Sequence, residues 1–207
     1  MIKHYISSIP MLPAGSLKPS IYKYETKEGT AVHDRAISFP VLVSLDKSLK
    51  KGDDFRITVI EPKHDNVPGN FERFKAELMQ ILKDKEIEYD TDSINEIVIE
   101  YSEDDEVHFE LFEQLISCIK DEEKLYTCIT YGSKPMPLIM LMSLNYVYSF
   151  CKNTFIESIV YGQYNHLTGA AMLYDVSSLF YMNSAVNNIS LLNIDDPLGY
   201  IKKIISE

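Results

Sequence analysis

Four consecutive residues, Gly132, Ser133, Lys134 and Pro135, bring together the groups with which a chain can hold an anion. The glycine lets the backbone turn where a Cβ would clash, Ser133 is a natural N-cap, and Pro135 suits the first turn of a helix. Free N–H groups and the positive end of the helix dipole would then face whatever lies above the preceding strand. Lys134 adds a mobile full charge. A Gly-Ser-Lys turn by itself is equally an ordinary strand-to-helix loop with a solvated lysine, so the elements around it have to decide.

Those elements are legible. LYTCITY, residues 125–131, is a short apolar, β-prone run, and MPLIMLMSLNYVYSF, residues 136–150, reads as a helix too buried to show a clean polar face. Upstream, residues 3–9 read as the first strand. Residues 21–25 and 31–34 read as a hairpin turning at Glu28-Gly29, and residues 38–50 as a helix. FRITVI, residues 55–60, is the next strand, halted by Pro62. Phe71, Phe74, Leu78, Ile81 and Leu82 recur at helical spacing, which makes Asn70 the cap of an amphipathic helix. NEIVIEY, residues 95–101, alternates like a strand. A helix over residues 105–121 is predicted to turn Phe109, Phe112, Leu115, Ile116 and Ile119 inward. Beyond the Pro135 helix come a strand over residues 155–161, a helix from about Asp175 and a short helix after Pro197.

Alternation of this kind predicts an α/β fold, a Rossmann-like and mostly parallel sheet with helices on both faces and a β-hairpin after the first strand. Such sheets bind ligands beyond the carboxyl ends of their strands, at the topological switch point. The loops over residues 7–16 and 132–135 are predicted to meet there.

Composition narrows the classes. With 207 residues and 45% hydrophobic content, the chain can bury one substantial core, with room for a small appendage. Cys118, Cys128 and Cys151 match no metal-ligand spacing and read as reduced core residues of a cytoplasmic protein. MIKHYISSIPM lacks the long apolar region of a signal peptide, and the apolar stretch of residues 136–150 falls short of the ~20 residues that span a bilayer. A net charge of -11 argues against extended nucleic acid as a partner, yet leaves room for a small oligonucleotide in a focused pocket. The acidic runs at residues 100–106 and 121–123 read as solvated charges at loops and helix starts rather than as cation sites. No G-x-G-x-x-G follows any strand, which disfavours a dinucleotide-binding enzyme.

The run CITYGSKPMP, the apolar helix behind it and FIESIVYGQYN together resemble the CRISPR-associated Rossmann fold (CARF) family, in particular its branch with the D-x-T-H-G motif. The turn is also similar to the G-G-T-K-x-M turn of sister branches. Thr130 and Gly132 stand at the threonine and final glycine of the first motif, while Ser133, Lys134 and Met136 resemble the threonine, lysine and methionine of the second. Tyr161-Gly162 resembles the second family signature, closing the next strand. HYISSIP, MLPAGSLKPS, IYKYE and KKGDDFRITVIEP resemble the opening of the branch. Cys128 replaces the aspartate of the motif and Tyr131 the histidine, so no role of that acid or imidazole carries over.

The resemblance implies a CARF-like domain over residues 1–190, with residues 191–207 as a short C-terminal helical extension of it. It implies a homodimer whose two clefts join around a cyclic oligoadenylate, most simply cyclic tetraadenylate, the second messenger of type III CRISPR antiviral signalling. Phosphate or ribose contact then falls to Lys134 and the backbone around Gly132 and Ser133, with Thr130 and Pro135 as further ligand-binding residues and Tyr131 stacking on a base or donating from the pocket edge. In the first loop Ser7, Ser8 and Ser16 are hydroxyl donors and Gly15 a further ligand-binding residue, with Met11 and Met136 placed against adenine and Tyr161 and Gly162 in the pocket wall. Core packing is the other reading of the two methionines and of Tyr131. Some CARF proteins are ring nucleases, in which a ribose 2′-hydroxyl attacks the neighbouring phosphate without a metal and leaves a 2′,3′-cyclic phosphate. Lys134 and Ser8 would supply the positioning and charge stabilisation here, with no cofactor. A non-catalytic sensor acting on a partner, or the sensory domain of a longer effector, are the alternatives. His4, His166 and Arg35 are further candidate contacts, each with an ordinary structural reading.

Overall fold

The computed structural model describes residues 1–13, 15–190 and 196–206. In chain order the elements are β1 (Ile2–Ser8), a hairpin of β2 (Tyr22–Thr26) and β3 (Gly29–Val32), α1 (Pro40–Ser48), β4 (Phe55–Pro62) and α2 (Val67–Asp84). There follow β5 (Asn95–Ile99), α3 (Asp105–Cys118), β6 (Glu123–Cys128), α4 (Met136–Phe150), β7 (Phe155–Tyr164), β8 (Ala171–Asp175), α5 (Ser177–Ser190) and α6 (Pro197–Ser206). All eight strands form one sheet in the order β3-β2-β8-β7-β6-β1-β4-β5. Every pairing from β7 to β5 is parallel, while β8 runs against β7 and β3 against β2. The fold is α/β, mixed but mostly parallel, consistent with a Rossmann-like architecture.

Chain order locates the switch point. β4 and β5 are laid on one side of β1 and the chain then crosses to lay β6 and β7 on the other, so the crevice opens between β1 and β6. Ser7 pairs with Cys128 in register, which ends the two strands at the same level.

The near-continuous apolar strands follow from burial on both faces. Along β1, Tyr5 joins the core under α1 and α2, whereas Ile6 joins the core under α3, α4 and α5. Along β4, Ile57 and Val59 face the first core and Ile60 the second; along β6, Tyr126 and Cys128 face the first and Leu125 the second. Among the described residues, no helix is long and apolar enough to cross a membrane.

Several expectations shift. α1 is shorter than predicted because Phe39 and Leu49 are both extended, leaving Pro40 in the first turn. β4 runs through Pro62 instead of stopping before it. α2 starts at Val67, so Asn70 lies inside the helix and is not its cap. α3 buries Leu111 and Leu115 and leaves Phe109 69% exposed, because the covered stripe is rotated from the one its phenylalanines suggested. β7 continues to Tyr164 and turns back into β8, a strand too short and too close to its hairpin loop to stand out in the sequence. α5 begins at Ser177, since residues up to Asp175 belong to β8. The C-terminal helix is present over residues 197–206, while the start of the predicted extension at residues 191–195 lies outside the described residues.

Candidate functional site

The loop after β1 is held down by α2. Asn70 donates from Nδ2 to the carbonyls of Pro10 (2.7 Å) and Leu12 (2.8 Å), and Asn66 donates to the carbonyl of Met11 (3.0 Å). Arg73 donates to the Leu17 carbonyl and, from Nη2, to Ser38 Oγ (2.7 Å). Asparagine inside a helix is a poor helix former, so Asn70 at a buried interior position signals a polar task. That signal is present in the sequence, although the helix boundary hid it.

At the ends of β6 and β7 the backbone is tied by Thr130. Its Oγ1 accepts the Gly162 N–H at 2.8 Å and lies 3.1 Å from Cys128 Sγ. Gly162 is obligatory in this packing, since a Cβ there would lie 2.4 Å from Pro40 Cγ at the start of α1. Gly132 turns the chain at φ +120°, with Met136 Sδ in the space a Cβ would take. Cys128 is wholly buried and burial pushes its thiol pKa up, so this position offers no charge in place of the motif's aspartate. Tyr131 packs on the core beside Phe39 and donates to the Ser38 carbonyl at 2.9 Å; burial pushes its phenol far up as well.

These elements frame a cleft of about 170 Å³ beyond the end of β6, against β7 and the β1–β2 loop. The β1–β2 loop lines it with Ser16, Lys18 and Ser20, the end of β6 with Thr130 and Tyr131, and β7 and the residues after it with Gly162, Tyr164 and His166. No aspartate or glutamate is among the described residues that line it, in a chain of net charge -11. Of the residues singled out from the sequence, Ser16, Thr130, Tyr131, Gly162 and His166 line it. Lys18 and Tyr164 were missed: each stands in a loop or strand end whose partner segments are distant in sequence.

Other placements are corrections. Ser8 is wholly buried and donates to the carbonyls of Ile60 (3.3 Å) and Ile9 (3.4 Å), which joins β1 to β4 and leaves no hydroxyl for chemistry on a ligand. Ser7 is buried beside it and donates to the Ser8 carbonyl. Met136 is 2% exposed within the core under α4, so it supports the turn and does not pack on a ligand. Met11 is half-buried against the opposite core. The N-cap position of α4 is Pro135, and Ser133 contributes its carbonyl, which accepts the Met136 N–H at 3.2 Å. Ser133 lines a separate crevice with Tyr101 and His108. Lys134 and Gly15 are exposed and lie outside the lining of the cleft, as does Tyr161.

Two further polar clusters lie elsewhere. His4, Thr58 and Glu123 are wholly buried near the amino ends of β1, β4 and β6, with His4 Nδ1 2.8 Å from Glu123 Oε2 and His4 Nε2 2.7 Å from Thr58 Oγ1. Arg56 Nη1 lies 3.0 Å from the other Glu123 oxygen. The order resembles a nucleophile, base and acid, but no substrate reaches groups sealed between strands and helices. Glu123 therefore corrects the reading of residues 121–123 as solvated charges. His33, Asp34 and Asp46 lie within 4.8 Å of one another. Arg35 Nε (2.8 Å) and Lys85 Nζ (3.1 Å) already flank the Asp46 carboxylate, which makes the cluster an ion-pair network with little attraction for a cation. Burial raises the Asp46 pKa, but the His33 and Lys85 hydrogen bonds and the Arg35 charge outweigh it and hold the carboxyl below its usual range. Arg35 also pairs with Asp84, away from the cleft.

Compared with known proteins, the chain matches no family model and no curated protein.

Proposed function

We propose that this chain is a CARF-type domain that binds a cyclic oligoadenylate, most simply cyclic tetraadenylate, across a homodimer in type III CRISPR antiviral signalling. The observation that carries the reading is the cleft beyond β6, which has no carboxylate among the described residues that line it and is bounded by the two segments that hold the family-like motifs. An acidic chain repels polyanions overall, so an acid-free crevice with a lysine marks where a small anionic ligand can enter. Lys134, exposed at the turn that follows the cleft, meets the part of the ring that extends beyond it.

A two-fold symmetric ring calls for two such clefts, and the exposed face of α4 supports self-association. Leu138, Met142, Tyr146 and Phe150 form an exposed apolar stripe at four-residue spacing, with Tyr146 edge-on to Phe112 of α3. An isologous dimer would bury each stripe against its copy. A cytoplasmic location belongs to the same proposal.

Ring opening needs a 2′-hydroxyl held in line with the adjacent phosphate and a positive group for the developing charge. Lys134 is the candidate for that charge, with Ser8 removed by its burial. Incubation with cyclic tri-, tetra- and hexaadenylate, followed by chromatography and mass spectrometry, separates the versions. Linear products ending in 2′,3′-cyclic phosphate establish a ring nuclease, intact retained ligand establishes a sensor, and neither outcome with any ring overturns the reading.

A further inference from the structure

Within the cleft, two side chains can meet a negative charge: Lys18 from the β1–β2 loop and His166 from the β7–β8 connection. Each sits on restrained backbone. Beside Lys18, the Leu17 carbonyl is fixed by Arg73, and the Lys18 carbonyl itself accepts from Ser20 Oγ at 3.3 Å. Around His166, Asn165 Oδ1 accepts the N–H groups of Leu167 (2.9 Å) and Thr168 (3.1 Å), while the Asn165 N–H donates to the Ala170 carbonyl (2.8 Å). The His166 ring stands edge-on to Tyr164, with ring centres 4.9 Å apart.

The remaining titratable groups in the lining are the phenols of Tyr22, Tyr131 and Tyr164. Burial pushes the Tyr22 and Tyr131 phenols up, so neither competes with an incoming anion for the lysine. At about 170 Å³ the cleft is smaller than the ~300 Å³ of the smallest common ligand pockets, which limits it to one end group of a larger ligand.

We propose that Lys18 and His166 form a two-loop clamp for a single phosphate, so that each protomer's cleft receives one adenylate unit by its phosphate group. The clamp rests on the nucleotide reading above only for the adenylate; the phosphate follows from the lining. Both residues are binding residues, and the sequence motifs point to neither.

The test uses the whole chain and adenosine 5′-monophosphate as probe, with adenosine as the uncharged comparison. In a titration followed by amide NMR, the monophosphate is expected to shift signals of residues 16–20, 130–131 and 162–166 at roughly tenfold lower concentration than adenosine. Lys18→Ala and His166→Ala should each weaken the monophosphate by about fivefold or more and leave adenosine unchanged. A Lys152→Ala control, remote at the amino end of β7, should titrate like the parent. Equal response to the two probes, parent-like titration by both variants, or no shift in these segments at millimolar monophosphate overturns the clamp. Cyclic tetraadenylate then separates the two ideas: binding that survives Lys18→Ala/His166→Ala upholds the function and sinks the clamp. Monophosphate binding without any cyclic ligand does the reverse.

Discussion

Asn70 and Lys134 act at opposite ends of what one residue can do for this site. Asn70 is buried and fastens the ligand-side loop through two carbonyls, so Asn70→Ala leaves both unsatisfied and is expected to cost about 2 kcal/mol. Chemical denaturation measures that loss, and ligand affinity should fall with it because the loop is released. Asn70→Asp, close in size but without the NH₂ donor, should do at least as much damage; stability equal to the parent would remove the pinning role. Lys134 is exposed and supports no packing, so Lys134→Ala should leave the unfolding midpoint within a degree or so while weakening cyclic tetraadenylate by about tenfold. Isothermal titration reads the affinity, and parent-like binding would remove Lys134 from the site.

Among the elements, α4 differs most from its sequence pattern. Its composition suggested a helix covered all round, yet Ile139, Met140, Ser143, Leu144 and Val147 are buried while Leu138 (64%), Met142 (61%) and Phe150 (72%) stand exposed. The inner face is recognisable as core, and the outer one is apolar and exposed among the described residues. If the outer stripe joins two copies, Met142→Glu should turn a dimer into a monomer in sedimentation velocity and leave the circular dichroism spectrum unchanged, since no core contact is lost. A parent protein that is already monomeric at micromolar concentration would exclude this interface.

At the scale of the whole molecule, pH reports how buried charge is distributed. Glu61, at the carboxyl end of β4, has its pKa raised to about 7, first by burial and then by the Glu96 charge, with Lys75 opposing and Glu72 adding a smaller push. One of its oxygens is buried without a hydrogen-bond partner. Between pH ~4.5 and the folded value the native state holds a proton that the unfolded state has released, so stability falls as pH rises through that window and levels off above it. Glu61→Gln should flatten this slope and stabilise the protein by about 1 kcal/mol at pH 8, after discounting for its partial exposure, with no gain at pH 4. Thermal melts across pH would detect it, and an unchanged slope would rule it out. Asp46 and Asp53 act in the other direction. Their pKa values are held low, Asp53 chiefly by the Lys3 hydrogen bond, so their contribution is present above the ordinary carboxylate range and is lost in acid.

By itself the sequence determined the order of the strands and helices apart from β8, the mostly parallel sheet and the hairpin, while of the two loops expected to meet only the first reaches the cleft. Runs such as FRITVI, glycines at turns and prolines at helix starts act through local backbone preference and period, which are written along the chain. Tertiary structure alone decided which charged groups share a space. Lys18 and His166 come together only because β2 and β8 pair at the far side of the sheet, and Glu123 is buried only because His4 and Arg56 rise beside it from neighbouring strands. It also decided which side of α4 is covered, and moved Asn70 from a cap to an anchor. Burial, pairing and the field inside a cleft depend on segments distant in sequence, and no local pattern encodes which of them will become neighbours.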